Sequence, residues 1–279
     1  MKSPFLSVVI ATYNYGSMLE EAICSVINQS DKDFELIIVD GGSKDNTVDV
    51  IRKYEKYISW WVSEPDRGQS DAFNKGFSHA KGEVITWLNA DDLMLPNTIS
   101  VIKKCFANRN VDWVAGNMVC FDTETKKITK VFFGPSYYPK FLQGANKRIS
   151  VFGPSSFWRR SLYNKIGPIN EDLHYTMDNE YWARLTIAGV KLYRTNHYCW
   201  GFRIHEKSKT ARGFSHELPK EVAEKVALEW KHINGLGYRL SKKWEIIYLL
   251  GRILDMSYLR GLIYNKLYAG KDVKTFNCN

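Results

Sequence analysis

The sequence predicts an α/β protein: a mostly parallel, Rossmann-like central sheet with helices on both faces, followed by a C-terminal helical extension. Three observations carry this expectation. Four short, apolar runs lie in the first hundred residues, and helical stretches separate them. Three of these runs end in polar or small residues, at Thr12-Tyr13-Asn14, Asp40-Gly41-Gly42-Ser43 and Asn89-Ala90-Asp91-Asp92. From residue 217 onward the apolar residues recur at helical spacing.

Leu6–Thr12 is short and β-branched and reads as a buried strand. A helix is expected over 17–28, with Ser17 as N-cap, Glu20 three residues on, and Leu19, Ile23, Val26 and Ile27 on its apolar side. Phe34–Asp40 is the second strand, and a helix follows over 45–57. Trp60–Ser63 is the third strand, closed by the breakers of Glu64-Pro65-Asp66-Arg67-Gly68. A helix over 70–80, a strand over 83–88 and a helix over 97–107 complete the regular part. The middle, 111–205, alternates strand-like runs at 113–120, 128–133, 190–194 and 200–204 with a helical patch at 178–188. Helices are expected at 217–232, where Leu218-Pro219 suits a first turn, and at 241–268. With no repeat and no Pro/Gly/Ser linker, one domain over 1–215 is expected, with halves at 1–115 and 116–215, and amphipathic helices over 216–279.

Of the 279 residues, 44% are hydrophobic and 25% charged, which excludes disordered and collagen-like classes. The net charge is +9, and it is unevenly spread. Residues 1–115 carry 12 Lys/Arg against 16 Asp/Glu, and residues 116–279 carry 27 against 14. An acidic cation site belongs in the first part and an anion-binding surface in the second. Five scattered cysteines with no C-x-x-C predict free thiols in a reducing compartment. No apolar stretch approaches the roughly 18 residues a membrane span needs. A cytoplasmic protein is expected, soluble or peripheral at the inner face of the membrane.

In parallel sheets, ligands bind beyond the carboxyl ends of the strands, so the three polar strand ends should meet at one crevice. The adjacent carboxylates Asp91 and Asp92 repel each other unless a cation compensates them, and oxygen ligands of this kind suit Mg²⁺ or Mn²⁺. The alternative is that Asp92 caps the next helix while Asp91 is solvated. Asp40 is either a turn-former before Gly-Gly or an acceptor for a nucleobase N–H and ribose hydroxyls, with Gly42 letting the backbone approach. Arg67 either pairs with phosphate or is an ordinary turn residue. There is no G-x-G-x-x-G after the first strand and no G-x-x-x-x-G-K-[ST], so dinucleotide and P-loop sites lose their support. No nucleic-acid recognition motif accompanies the pI of 9.1.

Four blocks keep a common order and spacing: Ser7–Asn14, Glu35–Thr47, Ser63–Gly76 and Gly82–Asp92. Together they resemble the family 2 inverting glycosyltransferases of GT-A fold. That resemblance implies a nucleotide-sugar donor, with a UDP-sugar favoured over guanosine and thymidine donors. It implies that Thr12, Tyr13, Asn14 and Asp40 line the base and ribose pocket, with Gly42, Arg67, Asn89, Ala90 and Asp91 also on the donor side. It places the Mg²⁺ or Mn²⁺ on Asp91 and Asp92. Asn89 stands where the family usually has Asp, so it supplies a hydrogen bond and no charge. The segment from Tyr175 to Leu185 is similar to the family's acidic helix start, with Asp178 on the general base and Met177 replacing Glu. As a carboxylate in a first helical turn, Asp178 suits that role; capping by Thr176 or Asp178 with Glu180 is the structural alternative. Phe202–Thr210 resembles the family's Arg-x-His segment. His205 would complete the metal shell, Lys207, Lys209 and Arg212 would neutralise the diphosphate, and 208–215 would form a lid; a structural His205 is the alternative. Residues 153–160 fall where the family places its acceptor side. The implied reaction is inverting transfer to a hydroxyl of a glycan or lipid-linked acceptor, in bacterial surface polysaccharide synthesis. A catalytically silent nucleotide-sugar binding module and a sugar nucleotidyltransferase remain as alternatives. The C-terminal helix, with Trp244, Leu254 and Leu262 among Lys and Arg, fits an anionic membrane, or packing on the domain or a second copy.

Overall fold

In the computed structural model the described residues are 3–133, 151, 153–205, 220–236 and 257–276. Strand β1 (Leu6–Thr12) is the centre of the first half, and all seven of its residues are buried. It pairs in parallel with β2 (Phe34–Asp40) on one side and β4 (Val84–Asn89) on the other, and β2 pairs in parallel with β3 (Trp60–Ser63). The register sets Thr12 opposite Asp40 and Ala11 opposite Asn89. The polar strand ends therefore emerge side by side at one edge of the sheet.

Both sheet faces are covered, which is why these strands are apolar without alternation. Val8, Ile10, Leu36 and Ile38 face α1 (Gly16–Ile27), with Leu19, Ile23 and Val26 against them. Their neighbours Val9, Ala11, Ile37 and Val39 point the other way, towards Phe73 and Phe77 of α3 (Gln69–His79). Gly76 lets α3 lie close on the sheet, since a Cβ there would overlap Val9. The short α2 (Thr47–Lys53) links β2 and β3.

Beyond β4 the sheet becomes mixed. Its remaining elements are β5 (Leu93–Met94), α4 (Thr98–Phe106), β6 (Trp113–Asp122), β7 (Ile128–Phe132), β8 (Ser156–Arg159), α5 (Arg160–Ile166), α6 (Met177–Ile187) and β9 (Leu192–Ile204). The strand order is β3-β2-β1-β4-β8-β6-β9-β5, with β7 on β6. β8 runs antiparallel to both β4 and β6, β6 and β9 are parallel, and β5 is antiparallel to β9.

Several local expectations are corrected. Helix α1 starts at Gly16, and Ser17 does not cap it. The cap comes from another loop: Asp45 accepts the Gly16 N–H at 3.1 Å, while Glu20 is taken by Lys53 and Tyr54. The two strands expected at 190–194 and 200–204 are one strand, β9. The polar Thr195-Asn196-His197 between them reads as a break, but β6 shifts register there and Asn117 donates to the Asn196 carbonyl at 2.9 Å. Strand β8 and helix α5 are not among the predicted elements.

The second core layer is aromatic. Trp87, Trp113, Trp158 and Trp182 are all fully buried. Trp182 stacks on Trp87 at 5.4 Å and on Trp113 at 5.3 Å between ring centroids.

Two C-terminal helices follow, α7 (Lys220–Gly235) and α8 (Ser257–Tyr268). Asn265 of α8 bonds both the N–H and the carbonyl of Val131 in β7, and Tyr264 stacks on Phe133. Leu259, Leu262, Ile263 and Leu267 lie exposed on α8. Residues 241–256 of the expected last helix are outside the described residues. Among the described residues no helix is long and apolar enough to cross a membrane, and Cys24, Cys105, Cys120 and Cys199 are free thiols.

Trp182→Ala removes the ring between Trp87 and Trp113. Its expected loss is about 3–5 kcal/mol of unfolding free energy, read from guanidinium unfolding curves.

Candidate active site

A cavity of about 370 Å³ opens at the carboxyl edge of the parallel strands. Of the residues predicted for the site, Thr12, Tyr13, Asn89, Ala90, Asp91 and Asp178 line it. Strands β1 and β4 deliver the first five, and the first turn of α6 delivers Asp178. Trp87 from the aromatic layer, and Trp200 and Phe202 from β9, complete its apolar wall.

Asp178 is half-buried, and its Oδ1 accepts the N–H and the side-chain amide of Asn179 at 2.8 and 2.9 Å. Burial pushes its carboxyl up to about 6, and the Asn179 bonds offset this only in part. It is therefore a carboxylate at neutral pH with a raised affinity for a proton. Thr176 makes no side-chain cap at this helix, and Glu180 is held by Arg184 at 2.8 Å.

The two adjacent acids are separated by their surroundings. Asp91 faces the cavity, and its Oδ2 lies 2.9 Å from His205 Nε2, a hydrogen bond that needs the proton on Nε2. Asp92 is fully buried. Its Oδ1 accepts the Arg203 N–H at 3.0 Å and its Oδ2 the Asn89 amide at 2.7 Å. Burial, with Asp91 beside it, pushes the Asp92 carboxyl well above the usual range. The two acids serve different sides of one turn: Asp92 holds the turn, and Asp91 and His205 converge.

Among the described residues no cluster of three or more His, Cys, Asp or Glu is placed to hold a metal ion. Mg²⁺ and Mn²⁺ sites of this class take few protein ligands and complete their shell with phosphate oxygens and water. Neighbouring ligands of an octahedral shell stand roughly 2.9 Å apart, so Asp91 Oδ2 and His205 Nε2 fit two such positions. The second imidazole nitrogen, Nδ1, is buried without a partner among the described residues.

The other predicted residues that the structure describes stand off the cavity wall. Asp40 is fully buried, and Ser43 and Ser63 donate to its carboxylate, so it holds the turn after β2. Gly42 adopts φ +81° in that turn, where a Cβ would also press on the Pro65 nitrogen. Asn14, at φ 57°, accepts the Lys44 N–H at 2.8 Å and lies with His205 in a neighbouring depression. Arg67 is exposed and pairs with Asp71 and Glu171. Lys207, Lys209, Arg212 and the expected lid at 208–215 lie outside the described residues.

Four contributors went unassigned in the sequence. Asp66 lines the cavity from the loop before α3 and Gln69 from the first position of that helix, where it donates to Asn89 at 2.8 Å. His174 lines it from the loop before α6, and nothing in its local sequence marks it. Arg203 is buried, and its Nε donates to the Asp91 carbonyl at 2.6 Å. Its position next to the acidic turn across the sheet was the missing signal.

Comparisons with known proteins follow the same outline. The model of the family described as glycosyl transferase family 2 matches residues 7–167, more than half of the chain. An uncharacterized glycosyltransferase of Nostoc sp. is 34% identical over 59% of this chain and 54% of its own length. A GalNAc(5)-diNAcBac-PP-undecaprenol beta-1,3-glucosyltransferase of Campylobacter jejuni is 33% identical over 47% of this chain and 43% of its own. The chain spans about half to two thirds of the curated relatives with the strongest matches. In fold it is similar to S. aureus TarS 1-349 in complex with UDP, with a TM-score of 0.57 and 17% identity over 72% of this chain and 60% of that one. It is similar also to the mannosyltransferase PcManGT of Pyrobaculum calidifontis in complex with GDP-Man and Mn²⁺, with a TM-score of 0.57 and 15% identity over 95% and 86%.

Asp92→Asn keeps an acceptor for the Arg203 N–H, and the Gln69–Asn89 amide row can reverse its direction. A folded-state pKa raised above the unfolded value means that stability is lost as pH rises through it. The thermal midpoint of Asp92→Asn should therefore equal or exceed that of the wild type at pH 8, with the gap shrinking as the pH is lowered.

Proposed function

The chain belongs to glycosyl transferase family 2, and from that premise we propose that it transfers a sugar from a nucleoside diphosphate, by preference UDP, to a hydroxyl of a glycan or lipid-linked acceptor with inversion. One observation carries this: Asp178, whose carboxyl is raised to about 6, shares a cavity wall with Asp91 at the strand edge. A base with that affinity takes a hydroxyl proton during attack near neutral pH. The freed oxygen forms the new bond at the anomeric carbon while the bond to the diphosphate oxygen breaks on the opposite side. The diphosphate leaves with the electron pair, and one displacement inverts the centre.

The donor would lie along Thr12, Tyr13 and Asn89–Asp91. Tyr13 is 55% exposed, so its ring is open to stack on a base. The Thr12 hydroxyl is buried on the wall without a partner among the described residues, ready for a ligand bond. Asp40 and Gly42 would act by shaping the turn under the base, with Asn14 and Arg67 at its rim. Lys207 and Lys209 would neutralise the diphosphate. Asp91 and His205 would hold Mg²⁺ or Mn²⁺, which supplies positive charge to the departing diphosphate. Solved structures of similar fold contain UDP, UDP-GlcNAc or GDP-Man, which supports a nucleoside-diphosphate donor. The exposed Leu259, Leu262, Ile263 and Leu267, among Arg260 and Lys266, support a peripheral seat on an anionic membrane, where lipid-linked acceptors and surface-polysaccharide synthesis are found.

Asp178→Asn should abolish transfer, by at least about a hundredfold in kcat, with donor binding retained by calorimetry. In the wild type kcat should fall about tenfold per pH unit below about 6, because the base is then protonated. Wild-type turnover in Asp178→Asn removes it as the base. In a thermal-shift panel of nucleotide sugars, one donor should raise the midpoint further with Mn²⁺ than without, and Asp91→Asn should remove that difference.

A further inference from the structure

Glu229 stands on α7, beyond the residues that the family model matches and apart from every strand-end motif. Its side chain is 5% exposed, and it makes no ion pair among the described residues. It accepts four hydrogen bonds instead. Oε1 takes the His174 N–H at 2.9 Å, and Oε2 takes the N–H of Tyr175, the N–H of Thr176 and the Thr176 hydroxyl, each at 2.9 Å. A buried carboxylate is costly unless donors surround it, and here three consecutive backbone amides do so.

Those amides lead directly into α6. Thr176, its N-cap residue, gives its hydroxyl to Glu229 and caps nothing itself. To the first-turn acids Asp178 and Glu180, Glu229 therefore adds a carboxylate at the positive end of α6 from a helix more than forty residues later in the chain. Ser70 of α3 holds the same loop from the other side, donating to the Leu173 carbonyl at 3.3 Å and contacting Met177 Sδ at 3.0 Å. His174 and Tyr175 line the cavity, and Asp178 is two residues past the last bonded amide.

We propose that Glu229 is a positioning residue: its carboxylate fixes the 174–176 loop and so sets the approach of Asp178 to the acceptor hydroxyl. This rests on the assignment of Asp178 as base. Glu229 touches no reacting atom. Its effect is geometric, and misplacement of a reacting group by about 1 Å costs on the order of a hundredfold in rate.

The test compares Glu229→Gln and Thr176→Val with the wild type, using full-length protein and the donor found by thermal shift. In Glu229→Gln an amide NH₂ confronts N–H donors. Its kcat should fall about ten- to hundredfold with donor KM within about threefold, while amides 174–176 exchange faster with deuterium than the rest of the sheet. Thr176→Val removes one of the four bonds and should lose less, about threefold in kcat. Wild-type kcat in Glu229→Gln with faster exchange at 174–176 overturns the proposal. So does a loss accompanied by faster exchange throughout the sheet, because that is destabilisation alone. Asp178→Asn assayed alongside separates the two claims. If Asp178→Asn is inactive and Glu229→Gln is wild-type-like, only the positioning role falls. If Asp178→Asn turns over normally, the base assignment falls and takes the coupling with it.

Discussion

The buried guanidinium of Arg203 sets the conditions for the whole carboxyl edge. Only 1% exposed, it needs compensation inside the protein. The Asp91 carbonyl accepts from Nε, Glu21 lies 3.4 Å from a terminal nitrogen, and the Phe121 ring covers one face. Burial works against ionisation of Glu21, yet Lys126, Arg203 and Lys274 hold its carboxyl below the usual range. Arg203 also gives its backbone N–H to Asp92. One residue thus anchors the backbone of Asp91 and the side chain of Asp92. With Asp92 turned inward, the Asp91 carboxylate is left to face the cavity. Two neighbouring acids avoid mutual repulsion by serving different sides of the same turn.

A comparable division holds on α6. Asp178 and Trp182 are one helical turn apart, which places them near one another on the helix surface. The first meets the cavity, and the second is clamped between Trp87 and Trp113. Trp87 is shared, since it also lines the cavity. The aromatic layer therefore gives the Asp178 end of the helix a close-packed base, and small displacements of α6 must disturb ring contacts that have little slack.

Much of this was legible in the sequence wherever the signal was local. The parallel strands declare themselves through β-branched runs, and their polar ends mark Thr12, Asn89 and Asp91. Asp178 is marked by the resemblance of Tyr175–Leu185 to the family's acidic helix start, with which its place in a first helical turn agrees. Features that depend on distant pairing stayed hidden. Strand β8 is defined by its pairing with β4 and β6, segments some forty to seventy residues earlier in the chain. The cap on α1 comes from Asp45, a residue no capping-box pattern would choose. Glu229 sits in an ordinary charged helix, and only the loop it meets makes it unusual. Asp91 and Asp92 are adjacent in the chain, and their burial and hydrogen-bond partners tell them apart.

The placement of β5 bears on how the molecule comes to be made. This two-residue strand follows the Asp91–Asp92 turn directly, yet its pairing partner is β9, some hundred residues later. On a ribosome, where the N-terminal part of a chain emerges and folds first, β1 to β4 can pair while β9 is still to be synthesised. Until β9 arrives, the acidic turn has neither Arg203 nor its strand partner. The parallel half can thus be shaped early, whereas the Asp91 carboxylate is oriented only once β9 has been made, so a nascent chain carries a sheet before it carries a complete cleft.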